Sequence, residues 1–406
     1  MKKKKSILIF MLVIFFLALI SVGYIAEKYN NGIAEEEKIK DSQGEIADSS
    51  TVIEQEPVVE KITSTVVATG DIMFHSTQVK GAYNPETKDY DFESTFSRIK
   101  KYIESADLAL ANFETVTAGP EHGYRGYPTF NTPKSAIQAI KNAGFDILST
   151  ANNHSLDKGK EGIIETIDNI NEYGLESFGT YKEPSEDIMI QDVNGIKMAL
   201  LSYTYGCNGL ETLLTPEELN YMVNIINEDK IKNDIQKADE LGVDVTTVFI
   251  HWGNEYQREP SQQQIDLANK MIEWGADIIL GSHPHVVQRS EIVNYNGEDK
   301  FIVYSMGNFI SNQRRETLTN KNRKYTEDGI VVKLTLEKDV LENKTIVKDI
   351  DYIPTWVYRY SEGGKFKYSI MPTTEYLEKN DDGLSQEVLS NVQESYSNTI
   401  NLMNQR

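Results

Sequence analysis

Asp277-Ile278-Ile279-Leu280-Gly281-Ser282-His283-Pro284-His285 is the stretch whose reading decides the fold. Four residues rich in β-branched and aliphatic side chains are too few for a helix, and a Gly-Ser pair stops them; this is a short buried strand opening onto two histidines. The same grammar recurs upstream. Val245 to Ile250 enters His251-Trp252-Gly253, Asp146 to Thr150 enters Asn152-Asn153-His154, Leu108 to Ala111 enters Asn112-Phe113-Glu114, and Thr65 to Ala68 enters Gly70-Asp71, with His75 just beyond. Five of the six histidines fall in these loops. In open α/β sheets the carboxyl edge of the strands is where ligands gather, so residues distant in sequence can meet there. Neutral imidazoles, carboxylates and an Asn carbonyl are donors that divalent transition ions accept. Within His283-Pro284-His285, the proline favours an extended backbone at His283, which puts both imidazoles on one side.

Between the strands the apolar period changes. Phe92, Phe96, Ile99 and Ile103, then Ile137, Ile140 and Ala143 ahead of Gly144, then Ile163, Ile164, Ile167 and Ile170 recur at helical spacing, and a further helix is expected over Ser261 to Trp274. Asn194-Gly195 and Asn296-Gly297 read as hairpin turns. Alternation of strand and helix followed by hairpins predicts two packed mixed sheets with helices outside. Past Trp356, residues Tyr358 to Met371 suit a strand pair, and Val388, Val392, Tyr396 and Ile400 a helical stripe.

Met1-Lys2-Lys3-Lys4-Lys5 precedes an apolar run from Ile7 to Ala26, the ~20 residues that a bilayer-crossing helix needs. The lysines should stay cytoplasmic and place the rest of the chain outside; a cleaved signal peptide is the alternative, Ser21-Val22-Gly23 being a weak cleavage match. The expected organisation is a cytoplasmic tail and single-pass anchor (1–27), an acidic disordered linker (28–62), one large domain (63–356) and a C-terminal extension (357–406). Cys207 is the only cysteine, so no intramolecular disulfide exists, and it is taken as a small packed residue. A formal charge of −21 excludes nucleic acid as a partner, since binding it needs a basic face.

Other residues carry two readings each. His122 and Arg125 lie in a Gly- and aromatic-rich loop, which is a solvated loop or a substrate lid with Arg125 on a carboxylate or phosphate. Trp252 and Glu255 come after His251 and are candidate substrate contacts, with Glu255 also suited to orient a ligand or cap its loop. Asp157 either holds His154 for catalysis or caps the helix that begins near Gly159. Asn308 is read as structural.

The ordered motifs Gly-Asp-Ile-Met (70–73), Asn-Phe-Glu (112–114), Ala-Asn-Asn-His (151–154), His-Trp-Gly-Asn-Glu-Tyr (251–256), Gly-Ser-His-Pro-His-Val (281–286) and Tyr-Ser-Met-Gly-Asn-Phe (304–309) resemble those of the CapA family of poly-γ-glutamate capsule proteins, itself similar to calcineurin-like metallophosphoesterases. The resemblance implies a four-layer α/β/β/α sandwich with a site for two divalent ions (Mn, Zn or Fe) at its edge. It implies that Asp71, His285 and the displaced His75 serve the first ion, Glu114 bridges both, Asn153, His251 and His283 serve the second, and His154 stays outside as a catalytic acid or transition-state contact. Glu114 stands where that pattern has Asp, and His75 comes four residues after Asp71 instead of two. Three functions are compatible with it: a membrane-anchored metal hydrolase or transferase of poly-γ-glutamate, a non-catalytic polymer-binding partner of membrane capsule synthase subunits, or a surface phosphoesterase unrelated to capsule.

Overall fold

In the computed structural model, which describes residues 60–379 and 383–404, one face of strand β1 (Lys61–Ile72) packs toward a second sheet and the other toward helices. Val66 and Ala68 enter the inter-sheet core while Val67 enters the outer one, the period-2 alternation of a strand buried on both sides. Strands β2 (Leu108–Phe113), β3 (Ile147–Ser149) and β4 (Glu176–Phe178) continue from β1 in parallel. Leu108 and Leu110 face inward, and Ala109, Ala111 and Phe113 outward.

The chain then builds the second sheet. β5 (Met189–Val193) and β6 (Ile196–Thr204) form a hairpin; β7 (Val245–His251), β8 (Ile278–Ser282) and β10 (Glu298–Val303) lie parallel to β6; and β9 (Ser290–Tyr295) pairs antiparallel with β10. The order in this six-stranded sheet is β9-β10-β8-β7-β6-β5. Returning to the first sheet, β11 (Asn308–Ile310) pairs with the end of β1, while β12 (Asp328–Asp339), β13 (Lys344–Glu362) and β14 (Lys365–Pro372) extend it antiparallel on the other side of β1. The eight strands run β14-β13-β12-β1-β2-β3-β4, with β11 off this path.

Helices cover both outer faces. α1 (Ser135–Asn142) lays Ile137 and Ile140, and α2 (Gly159–Glu172) lays Ile170, against the first sheet; α3 (Glu228–Glu240) and α4 (Gln262–Trp274) cover the second with Ile231, Ile235, Met271 and Ile272. Two outer cores and one inter-sheet core make four layers, α/β/β/α. α4 starts where its cap dictates, Gln264 N donating to Ser261 Oγ, and stops at Gly275 with φ +119°. The expected Phe92–Ile103 helix is instead two single turns, Glu93–Phe96 and Lys100–Ile103, because the four apolar residues are held by the outer core and not by a continuous helix.

Beyond Trp356 the chain stays within the first sheet. α5 (Gln386–Met403) packs Val392 beside Trp356 and Met371, and Leu402 and Met403 reach the inter-sheet core. The apolar run Ile7–Ala26 and all but the last three residues of the acidic linker lie outside the described residues; among those described, no helix is long and apolar enough to cross a membrane.

Candidate metal centre

The carboxyl ends of the central parallel strands from both sheets meet at one edge, and the expected ligands sit there. Asp71 is the penultimate residue of β1, Glu114 follows β2, Asn153 follows β3, His251 ends β7, and His283 and His285 follow β8. Asp71 is re-aimed by a register shift between Thr69 and Asp71 against β2. The adjacent close approach needs glycine: a Cβ on Gly70 would fall 1.9 Å from the Gly307 carbonyl oxygen, and one on Gly281 would fall 2.0 Å from that of Tyr304.

Two donor groups overlap at this edge. Glu114, His251 and His283 form one, Asp71, Glu114 and His285 the other, and within each the donor atoms lie within 4.8 Å of one another. Glu114 belongs to both. Its Oε1 stands 3.6 Å from His251 Nε2 and 3.8 Å from His285 Nε2. Asn153 Oδ1 is 3.0 Å from His251 Nε2. The shell behind is polar and ordered. Asn112 Nδ2 donates to Asp71 Oδ1 (2.8 Å) and lies 3.3 Å from His251 Nδ1, where Ser282 Oγ also approaches at 3.0 Å. His285 Nδ1 faces two acceptors, Asp71 Oδ2 at 3.0 Å and Asn308 Oδ1 at 3.2 Å, so Nδ1 is the donating nitrogen and Nε2 is the one turned toward Glu114.

The electrostatics suit cations. Glu114 is fully buried, and burial, then the neighbouring Asp71, push its carboxyl well above the usual range. Burial, followed by the adjoining imidazoles, holds His251 and His283 well below theirs, which favours the neutral, metal-binding form of both rings. Burial opposes charge on His285, but the bond to Asp71 and its charge outweigh this and raise it. Glu114 Oε1 and His283 Nδ1 are buried without a hydrogen-bond partner. Such an orphan costs ~1–3 kcal/mol, more if charged. Divalent ions would satisfy both atoms, and the donor set of carboxylates, imidazoles and an amide oxygen fits Mn, Zn or Fe.

The backbone at the histidine pair is not extended. His283 has φ +96° and His285 φ +56°, because the chain must turn sharply after β8 to bring both rings inward, their centroids 5.8 Å apart. Non-glycine residues held there cost ~1–3 kcal/mol each, a strain that clusters at functional sites. His75 also departs from expectation. It belongs to neither donor group; it precedes the helix Ser76–Ala82, its Nδ1 accepts from Asn312 N at 3.2 Å, and its ring stands edge-on to Phe130.

His154 stands beside the donor groups without joining them. Its Nδ1 lies 2.7 Å from Asp157 Oδ2, which also accepts from Phe130 N (2.5 Å), and the Phe130 ring packs edge-on against the imidazole. Asp157 therefore orients His154; the residue at the start of α2, Lys158, makes no side-chain cap. His122 is partly exposed, 3.5 Å from Glu161, and Arg125 bonds Thr129. Glu255 is exposed at the rim, its charge felt at His285 and Tyr256. Trp252 as a substrate contact is corrected: its indole is buried in the outer core and donates to the Tyr304 carbonyl at 2.9 Å. Sequence reasoning missed Tyr205, whose ring centroid is 4.6 Å from that of His283, and the grip of Asn308 on His285. The signal for Asn308 was a polar residue inside the apolar strand Asn308–Ile310.

Known proteins share this chain's pattern. The capsule biosynthesis protein CapA of Bacillus anthracis is 33% identical over 265 residues, covering 63% of this chain and 61% of that protein, less than two thirds of its length. The PGA biosynthesis protein CapA of Bacillus subtilis (strain 168) is 26% identical over 328 residues, covering 74% and 81%. Among solved structures, a calcineurin-like phosphoesterase from Bacillus subtilis aligns over 84% of this chain and 99% of its own, with TM-score 0.42 and 16% identity. The family model for the bacterial capsule synthesis protein PGA_cap matches residues 65–313, every donor just described included, and the chain belongs to that family.

Proposed function

We propose that this chain is a membrane-anchored, extracytoplasmic metal-dependent hydrolase or transferase that acts on poly-γ-glutamate, in its release, trimming or attachment, beside membrane capsule synthase subunits. The observation that carries the metal-dependent reading is the partnerless Glu114 Oε1 between His251 and His285. Family membership supports the capsule context, and the lysine-led apolar run at the N-terminus supports the anchor and the topology.

Asp71, Glu114, Asn153, His251, His283 and His285 would hold the ions, which when bound supply Lewis acidity for activating water and polarising the bond attacked. His154 does the proton work. With Nδ1 engaged by Asp157, its Nε2 is the atom left to deliver a proton to the leaving group. Phe130 and Asp157 together fix the ring so that this nitrogen keeps one direction.

His154→Ala should leave metal content and melting temperature unchanged while slowing turnover of poly-γ-glutamate by about 10²-fold or more. His283→Ala should lower metal content as well. Cells with normal levels of the His154→Ala protein that keep unchanged polymer size, amount and attachment would show that the chain acts as a scaffold.

A further inference from the structure

The loop between β2 and α1 closes into a small hairpin. Arg125 and Asn131 exchange backbone hydrogen bonds of 3.0 and 2.9 Å, and the tip Gly126-Tyr127-Pro128-Thr129 projects from them. One side of this hairpin is clamped to the metal centre's surroundings. A Cβ on Gly126 would fall 2.5 Å from His75 Cα, and Gly126 N donates to Ser76 Oγ at 3.0 Å. Phe130, at its base, touches both His75 and His154. Tyr127, at the tip, is 76% exposed. The hairpin therefore borders the cleft on the His154 side.

Two cations converge on Thr129 of that tip. Arg125 Nη2 donates to Thr129 Oγ1 (2.6 Å) and Nε to Thr129 O (3.2 Å); Lys158 Nζ lies 3.4 Å from the same two oxygens. Lys158 directly follows Asp157, the residue that orients His154. Among the described residues neither cation pairs with a carboxylate, although nearby Lys134 and Lys160 do. The chain has 62 acidic residues to 41 basic ones, so an acid to neutralise this pair was available many times over. Burial and the charge of Arg125 depress the Lys158 amine, which is the electrostatic cost of leaving the two together.

We propose that Arg125 and Lys158 form a carboxylate subsite that holds a free carboxylate of the substrate chain next to the bond presented to His154. It rests on the reading that the substrate is an acidic polymer, and it adds how that polymer is registered. A polymer with a carboxylate on every residue places one charge beside the residue being attacked. A guanidinium and an ammonium arriving from different elements bind it from two directions, which fixes the chain's register as well as its charge.

The test is calorimetric titration of full-length, metal-loaded protein with a γ-linked glutamate tetramer, its glutamine counterpart and inorganic phosphate. Arg125→Gln and Lys158→Gln should each weaken tetraglutamate binding about five- to tenfold and flatten its salt dependence. Arg125→Lys and Lys158→Arg should recover part of the loss, and the control Lys141→Gln should change nothing. Metal content and melting temperature should stay at wild-type values throughout. Equal affinity of wild type for the glutamine tetramer, tetraglutamate binding indifferent to both Gln variants, or phosphate as the ligand that depends on the pair would each overturn the subsite. Tetraglutamate binding that needs the pair, in a protein with no turnover of the polymer, would uphold the subsite and remove only the catalytic reading.

Discussion

Glu114 is the residue on which both donor groups depend, and it is buried beside a second acid. Without a cation its charge is a liability; with cations it would be the ligand common to both donor groups. Glu114→Gln keeps the shape and removes the charge. Metal-free Glu114→Gln should melt no lower than metal-free wild type, whereas in the presence of metal it should bind less and melt below wild type. Scanning calorimetry with and without chelator, together with elemental analysis, reads both, and full metal content and wild-type stability in the loaded variant would refute the shared role. The meeting of Glu114, His251, His283 and His285 at one edge was legible because each comes after an apolar strand with little between. His75 stands apart from the donor groups because four residues past Asp71 the chain has turned toward a helix, and Trp252 points into the outer core because alternation along β7 sends the neighbour of an inward residue to the opposite face.

At the scale of elements, the two Asn-Gly hairpins form as expected. Both residues of each turn have positive φ, +53° and +87° at Asn194-Gly195 and +53° and +85° at Asn296-Gly297, which matches the twist of the flanking strands. The bend at His283 was not legible, since local preference before proline yields to the demand that two rings face inward. Nor was the anchorage of α5. Asn398 Nδ2 donates to Asp328 Oδ2 (3.0 Å), Arg258 Nη2 donates to the Asn398 carbonyl (2.7 Å), and Glu394 pairs with Arg315 and Lys324. Burial raises the Asp328 carboxyl to about 7 from an ordinary 3.8. Its folded state therefore favours the proton, so the contribution is whole below about pH 4 and is lost as pH rises through 7, at about 1.4 kcal/mol per pH unit in between. Asp328→Asn should gain about 2–3 kcal/mol on wild type between pH 5 and pH 8, measured by urea unfolding at both. Identical pH profiles would mean that the carboxyl is not held protonated.

The layer order of the whole molecule was readable from alternation and periodicity, because each sheet face and helix stripe announces its own burial. The pairing of β12 with β1, which brings β13 and β14 into the same sheet, was not, since antiparallel pairing between residues some 270 apart leaves no local trace. The family match likewise ends at residue 313, before those strands. The proposed topology is a whole-molecule property. Protease treatment of intact cells should remove the domain from a membrane-retained chain, and protein recovered free in the medium with a mature start near Tyr24 would refute the anchor.

β1 has the chain's entry at one end and Asp71 at the other, ~33 Å away at the usual rise per residue. A protein held ahead of Lys61 while a long polymer is drawn at its cleft would take the load along that strand. The ladder from Lys61↔Asp339 to Thr69↔Val331, and that from Val66↔Leu108 to Ile72↔Phe113, would then be sheared lengthwise, with many hydrogen bonds strained together and none peeled one at a time. In a protein anchored as proposed, that load would run the length of β1 toward Asp71 at its far end, while Glu114, His251, His283 and His285 hang from other strands.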